Sequence, residues 1–420
     1  MAGGTLGRRV GLGVLIAFVV FCAIGMAYLP FVDLYAMGHV TYFYLMLAVA
    51  GLVGAGGLVR TAGVREPSAA RSIARWVIAY LLFDLLVVVP VAVGMEVMTL
   101  NTIIGEVAVR FSWLLFPIAL AVVADERGKR TLGAVAAAAA VGLAIWALIS
   151  AATGGGGYYV EEGVSRWRAL SLGGGGLLLF AWPFVLVASR AVPRRFAAVL
   201  LVASLVGLVL TNSRSGIIAF ALAGLVCVAI SGQARRLIPW ILPTILLGAI
   251  AALVWGEKVS GAFSYTLAHL FDVSTGNGAD RLARWGLAWD FFVARPFNDY
   301  AWSWRYYLVY VYDLYQPHNF FFEIAVTEGI AGLVFYGAVL WDALKGAWTW
   351  ARKDAEVRAL FGYLTIYLVF SFQNANWYLP VAFPLLVIAI AALVSRLDRL
   401  RSDGGPAPVH ALDEPATLLS

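Results

Sequence analysis

The chain has 420 residues, of which 62% are hydrophobic and only 13% are charged, and its mean hydropathy is +0.85. Because charged side chains normally supply about a quarter of a globular chain, this composition excludes an ordinary soluble protein and predicts an integral membrane protein. The net charge of +6 is interpreted from where the basic residues lie, and no nucleic-acid partner is expected. Cys22 and Cys227 both fall in apolar runs, which argues against a disulfide and against a cysteine metal site.

Twelve apolar runs are each long enough to cross a bilayer, which takes about 20 residues in a helix. Backbone amides in hydrocarbon must be hydrogen-bonded internally, and these runs are too long for barrel strands. The sequence therefore predicts an all-α, polytopic membrane fold. The runs are residues 10–29, 41–59, 76–95, 103–124, 131–151, 171–189, 196–212, 216–232, 237–256, 320–342, 359–376 and 379–395.

The basic residues predict the orientation of these helices, since 21 of the 30 lie in alternate connections. Basic connections stay on the cytoplasmic side, so both termini are expected inside and the other connections outside. The chain then divides into nine transmembrane helices (1–256), an outer segment with amphipathic helical stretches (257–319), three more transmembrane helices (320–395) and a disordered cytoplasmic tail (396–420).

Nine basic residues lie outside the cytoplasmic connections, against the usual bias. Binding an anion is the simplest reason to keep positive charge there. Snorkelling, or ion pairing with neighbouring acidic residues, explains any single one of them equally well. These residues are Arg110, Arg166, Arg168, Arg214, Lys258, Arg281, Arg284, Arg295 and Arg305.

Two arginine-containing segments are candidates for phosphate binding. Arg214 lies in the polar turn TNSRSG between the seventh and eighth runs, and its planar guanidinium suits phosphate oxygens, although an interfacial anchor is an equal alternative. Arg281 and Arg284 are three residues apart, so both lie on one side of a helix and can face one polyanion. The same spacing also suits a solvated helix face paired with Asp280.

A third segment begins the tenth run with the sequence PHNFFFE. His318 titrates near neutral pH, so it can take a proton from an attacking hydroxyl, although an arbitrary histidine is more often structural. Asn319 follows it, and Glu323 and Glu328 lie within the outer half of the run. Carboxyl groups inside a membrane are costly unless they are paired or functional, so these two favour a functional site.

Together the three segments resemble a known family. The turn TNSRSG, the R-x-x-x-W stretch leading to RPF, and PHNFFFEIAVTEGIAGLVFY are similar to the three blocks of the O-antigen ligase and polymerase superfamily. The resemblance is close over residues 200–345, and the predicted span layout extends it over the whole chain. One departure is that Phe297-Asn298-Asp299-Tyr300 stands where many members have Gly-x-Gly after the proline.

This resemblance implies a protein of the bacterial inner membrane with a fold like that of type C membrane glycosyltransferases. Segment 257–319 and the active site would face the periplasm. The donor would be an undecaprenyl-diphosphate-linked glycan, and the acceptor a lipid A-core sugar in a ligase or another lipid-linked repeat in a polymerase. His318, Arg214 and Arg281 match the family's site residues, with Arg281 preferred over Arg284 because Trp285 follows at the expected distance.

The resemblance and the residues together predict an inverting, metal-independent O-antigen ligase with no cofactor. Four further residues are predicted to bind substrate, namely Arg284, Asn319, Glu323 and Arg305. Besides the donor and the acceptor, membrane lipids are the expected partners. A polymerase or a protein O-glycosyltransferase would share the motifs. A lipid-glycan transporter is the alternative from a different class, but it should hold its charges near the membrane midplane.

Overall fold

The computed structural model describes residues 3–26, 50–51, 53–64, 68–90, 110–154, 157–161, 164–168, 174–210, 214–231, 277–297, 317, 319–372 and 383–403. This part of the chain is helical apart from one hairpin. The helices are α1 (Gly3–Met26), α2 (Ala69–Phe83), α3 (Leu115–Val123), α4 (Glu126–Thr153), α5 (Gly174–Ala188), α6 (Arg194–Leu210), α7 (Arg214–Ser231), α8 (Asn277–Ala294), α9 (Phe320–Thr327), α10 (Gly329–Leu344), α11 (Ala347–Ala351), α12 (Ala355–Ser371) and α13 (Phe383–Ser402).

Most of the predicted spans coincide with a described helix. In the described residues, Glu126–Thr153 and Gly329–Ala351 are long and apolar enough to cross a membrane, and shorter apolar helices include Ser112–Val123 and Gly216–Ser231. The ninth predicted span, 237–256, lies outside the described residues. The helical part of the fold prediction is confirmed, and the number of twelve spans stays a prediction.

The prediction of an all-α fold is confirmed for the described residues, in which one short hairpin is the exception. Strands β1 (Gly157–Glu161) and β2 (Val164–Arg168) form an antiparallel hairpin that pairs Gly157 with Arg168 and Glu161 with Val164. Tyrosine, valine and tryptophan in these two segments favour extended backbone, and a connection of two residues suits a tight hairpin. The hydropathy pattern that predicts spans does not detect so short a hairpin.

Capping residues set where several of the helices begin. Ser68 accepts a hydrogen bond from the amide of Arg71 at the start of α2, and Asp125 accepts one from the amide of Gly128 at the start of α4. At its other end α4 stops at Gly154, whose φ of 70° is the left-handed conformation that favours glycine. These local signals place the helix ends close to the ends of the apolar runs.

Ionic contacts join several connections at one end of the bundle, which we call the basic end. Arg396 lies 2.7 Å from Asp354, Arg399 lies 2.7 Å from Glu126, and Lys129 pairs with Glu356. Burial opposes ionisation of Asp354, but hydrogen bonds from Arg396 and from backbone amides hold its pKa below the usual value. These connections were predicted to share one side of the membrane, and they do lie together.

Helices α7 and α12 pack closely and run in opposite directions. The Cys227 thiol near the end of α7 donates to the Arg358 carbonyl near the start of α12 at 3.5 Å. A Cβ atom added at Gly362 would lie only 2.6 Å from the Cys227 sulfur, so the two backbones approach closely there. Because the end of α7 meets the start of α12, the start of α7, at Arg214, is directed towards the end of α12.

Candidate active site

The third motif begins at a tightly capped helix end. Asn319 accepts hydrogen bonds through Oδ1 from the amides of Phe321 (2.9 Å) and Phe322 (3.2 Å), which are the unsatisfied donors of the first turn of α9. Its Nδ2 donates to the carbonyl of Phe372 at 3.0 Å, at the end of α12. Asn319 is only 2% exposed. The residue after His318 is therefore fixed to two helices at once.

The second motif contacts the third through Trp285. Its indole Nε1 donates to the carbonyl oxygen of Pro317 at 2.8 Å, and its ring packs on Phe322 with the centroids 5.8 Å apart. One turn further along α8, Ala288 and Val326 are both fully buried against each other. Helix α8 thus lies alongside α9, and its tryptophan holds the residue that immediately precedes His318.

We expect Trp285→Phe to lower the free energy of unfolding by about 1–2 kcal/mol, because the Pro317 carbonyl loses its donor while the aromatic packing is kept. Any activity that depends on His318 should fall by a larger factor than stability alone explains, since the lost bond positions the neighbour of His318. Thermal unfolding and that activity would be measured side by side. The control is Trp289→Phe on the same helix, because Trp289 is 54% exposed; equal loss in both variants would contradict the positioning role.

A second junction lies at the other end of α8, where the chain turns at the RPF motif. The amide of Ile330 donates to the carbonyl of Pro296 at 2.8 Å. Gly329 has a φ of +61°, and a Cβ atom there would lie 2.5 Å from the same carbonyl oxygen. Only glycine combines an easily adopted positive φ with the absence of a Cβ atom that would clash with this oxygen. The glycine of the TEG sequence is thus explained by this contact.

The tenth predicted span, 320–342, is not one continuous helix. Glu328, with φ −119° and ψ −5°, separates α9 from α10. A Cβ atom at Gly332 would lie 2.5 Å from the Cβ of Glu328, so the second glycine of the motif makes room for that carboxylate. The run is apolar on both sides of the break, which is why hydropathy alone predicted an unbroken span.

The two arginines of the second motif precede Trp285 on the side of α8 that faces α9. Arg281 lies one turn before Trp285 and Arg284 one turn before Ala288, and both are half-buried. The opposite face of the helix exposes Leu282, Trp289 and Val293. Either arginine therefore has the placement that the phosphate hypothesis needs, and the choice of Arg281 over Arg284 stays a prediction.

The structure gives less detail on the remaining predicted site residues, which are Arg214, His318, Arg305 and Glu323. Arg214 is the first residue of α7, whose start is directed towards the end of α12, and its side chain lies outside the described part of the structure. His318 and Arg305 lie outside the described residues. Glu323 is fully buried in the first turn of α9. The described residues thus join the second and third motifs directly and bring the helix of the first motif to the same end.

The sequence did not predict an ionic cluster that is buried at the helix break. The Tyr80 hydroxyl donates to Oε2 of Glu328 at 2.8 Å, and Arg110 Nη2 lies 3.1 Å from the other carboxylate oxygen. Asp84 lies 3.9 Å from Arg110 Nε. Arg110 and Asp84 are each 1% exposed, and the Tyr80 ring stacks on Phe335 at 3.9 Å.

The sequence did contain a signal for this cluster. Arg110, Asp84 and Glu328 are isolated ionisable residues in three different apolar runs, and such residues usually pair inside a bundle. A short π-helical turn, Asp84–Val88, interrupts the regular helix at the acidic member. Arg110 contacts Glu328 inside the bundle and therefore belongs to this cluster. The prediction that grouped Arg110 with the cations of the outer connections is corrected for this residue.

One comparison with known proteins bears on these motifs. Residues 196–337 match a family model described as O-antigen ligase. The matched region begins within α6, contains all three motifs and ends within α10. A comparison with curated proteins finds no match for the chain. Among the described residues, no group of three or more His, Cys, Asp or Glu side chains is arranged to hold a metal ion.

Proposed function

Because residues 196–337 match a family model described as O-antigen ligase, we propose that this membrane protein belongs to the O-antigen ligase and polymerase superfamily and is a glycosyltransferase acting as an O-antigen ligase. It would transfer a glycan from an undecaprenyl-diphosphate carrier to a sugar of the lipid A core. The observation that carries the proposal is the hydrogen bond from Trp285 to Pro317, which joins the arginine-bearing helix to the residue before His318.

The chemistry requires stabilisation of a leaving diphosphate. Arg214 and Arg281 would donate charge-assisted hydrogen bonds to its oxygens, and these strengthen as negative charge develops in the transition state. The placement of Arg281 one turn before Trp285, on the side of α8 that faces α9, supports this role. Arg284 and Arg305 would take further phosphate or sugar contacts. The guanidinium groups would then do what a metal ion does in other glycosyltransferases.

The acceptor hydroxyl must lose a proton as it attacks the anomeric carbon. His318 would accept that proton, so that the new glycosidic bond forms as the bond to the diphosphate oxygen breaks, with inversion in a single displacement. The capped start of α9 supports this assignment, because Asn319 fixes the backbone next to the histidine. We propose that Asn319 and Glu323 serve the substrate site from buried positions. The site would face the periplasm from the inner membrane, with both termini in the cytoplasm.

The test is an assay with purified protein in vesicles, a lipid-linked glycan, and no added nucleotide or metal. Two acceptors are compared, lipid A core and a second lipid-linked repeat. Product on the lipid A core supports a ligase, and product only on the lipid-linked repeat replaces it with a polymerase. Movement of the glycan across the bilayer without any product would instead indicate a transporter.

Arg214→Lys tests whether the first motif supplies geometry or only charge. We expect transfer to fall by about tenfold or more, because lysine keeps the charge but loses the planar pair of donors that fits a phosphate. Initial rates at several donor concentrations would show the loss. Arg127→Lys is the matched control, since Arg127 is exposed at the basic end of the bundle and lies in none of the three motifs. Full activity of Arg214→Lys would reduce Arg214 to a source of charge.

A further inference from the structure

A groove opens on the side of the bundle between α4 and α6, away from the motifs described above. Its volume is about 620 Å³, which lies within the range of small-molecule sites. Alanine and glycine residues of α4 form its floor, while Phe196 and Val199 of α6 and Ile145 of α4 stand around it with about half of their surface exposed. The lining is apolar over almost its whole length.

The groove has one charged end. Arg130 lines it next to Lys129, which belongs to the basic end of the bundle. On the other wall, the Arg195 guanidinium lies 5.0 Å from the ring centroid of Phe196, itself a lining residue. Arg130 therefore lines this end of an otherwise apolar groove, and Arg195 adjoins the groove as the chain neighbour of Phe196.

The length of the groove suits one membrane leaflet. From Arg130 to Ile145 the helical rise gives roughly 22 Å, close to the thickness of one leaflet with its headgroup region, which is about 20–22 Å. A ligand in the groove would therefore run from the basic surface towards the bilayer centre. It needs an apolar chain for the floor and an anionic group for the arginines.

We propose that this groove binds an anionic glycerophospholipid, with an acyl chain along α4 and the headgroup phosphate at Arg130 and Arg195. Apolar surface that faces a bilayer is covered by lipid, and basic pockets between membrane helices select anionic headgroups. The site lies at the basic end, opposite to the start of α9, so the lipid is distinct from the glycan carrier. This inference does not depend on the proposed reaction.

Native mass spectrometry of the purified protein with equimolar phosphatidylglycerol and phosphatidylcholine tests the site. We expect phosphatidylglycerol to be retained about fivefold or more over phosphatidylcholine, and Arg130→Gln to remove most of that preference. Arg130→Lys should keep it, which separates loss of charge from a general defect. The matched control is Arg127→Gln, an exposed arginine of the same helix start that does not line the groove.

A second variant fills the groove. A Cβ atom at Gly142 meets nothing within 4 Å, so Gly142→Leu should enter the groove without a clash and reduce retention of both lipids. Gly337→Leu is its control, because Gly337 also has open space but lies on α10. Equal retention of the two lipids by the native protein, or an unchanged preference in Arg130→Gln, would overturn the proposal.

Discussion

Replacement of His318 by alanine is expected to reduce glycan transfer by about 10²-fold to 10⁴-fold, the usual contribution of a general base. The protein should still insert and fold, because the cap at the start of α9 is made by Asn319 and does not use the histidine side chain. Single-turnover transfer with purified protein in vesicles would measure the loss. Thermal unfolding of the same samples would show whether the fold is kept.

His269→Ala is the matched control for this experiment, since His269 lies in the same segment, 257–319, but in none of the three motifs. It should transfer glycan at nearly the native rate. If His318→Ala also retained near-native transfer, the imidazole would have no part in the mechanism. A large loss of transfer together with a large loss of thermal stability would instead indicate a structural histidine.

The helical part of the fold was predictable because its signal is local. A run of about 20 apolar residues leaves the backbone no alternative to a helix in hydrocarbon, so α4 and α12 appear close to where the sequence predicts them. The break at Glu328 was not predictable in this way. It depends on the carbonyl of Pro296, which approaches Gly329 from 33 residues earlier in the chain.

The candidate site shows the same division between local and distant information. Asparagine before a helix is a recognisable cap, so the backbone role of Asn319 could have been predicted from the residues alone. The bond between Trp285 and Pro317 could not, because it spans a separation of 32 residues that no periodicity encodes. Arg110 stands out in the sequence as a charge within an apolar run, but the sequence does not show which acidic residues it contacts.

The buried ionic cluster at the helix break is expected to contribute strongly to the stability of the fold. Arg110→Met should lower the free energy of unfolding by about 3–5 kcal/mol, because it leaves the carboxyl groups of Glu328 and Asp84 buried without the guanidinium between them. Arg127→Met, at an exposed position, should change it by less than about 0.5 kcal/mol. Chemical unfolding in detergent micelles, followed by tryptophan fluorescence, would compare the two variants.

A double variant separates a lost charge from a lost shape. Adding Glu328→Gln to Arg110→Met removes one of the buried carboxylates, and the amide can still accept a hydrogen bond from Tyr80, so part of the lost stability should return. No recovery would mean that Arg110 contributes mainly through packing. Because Glu328 stands directly before Gly329, which holds the turn at Pro296, the single variant should also lose glycan transfer, and the double variant should regain transfer along with stability.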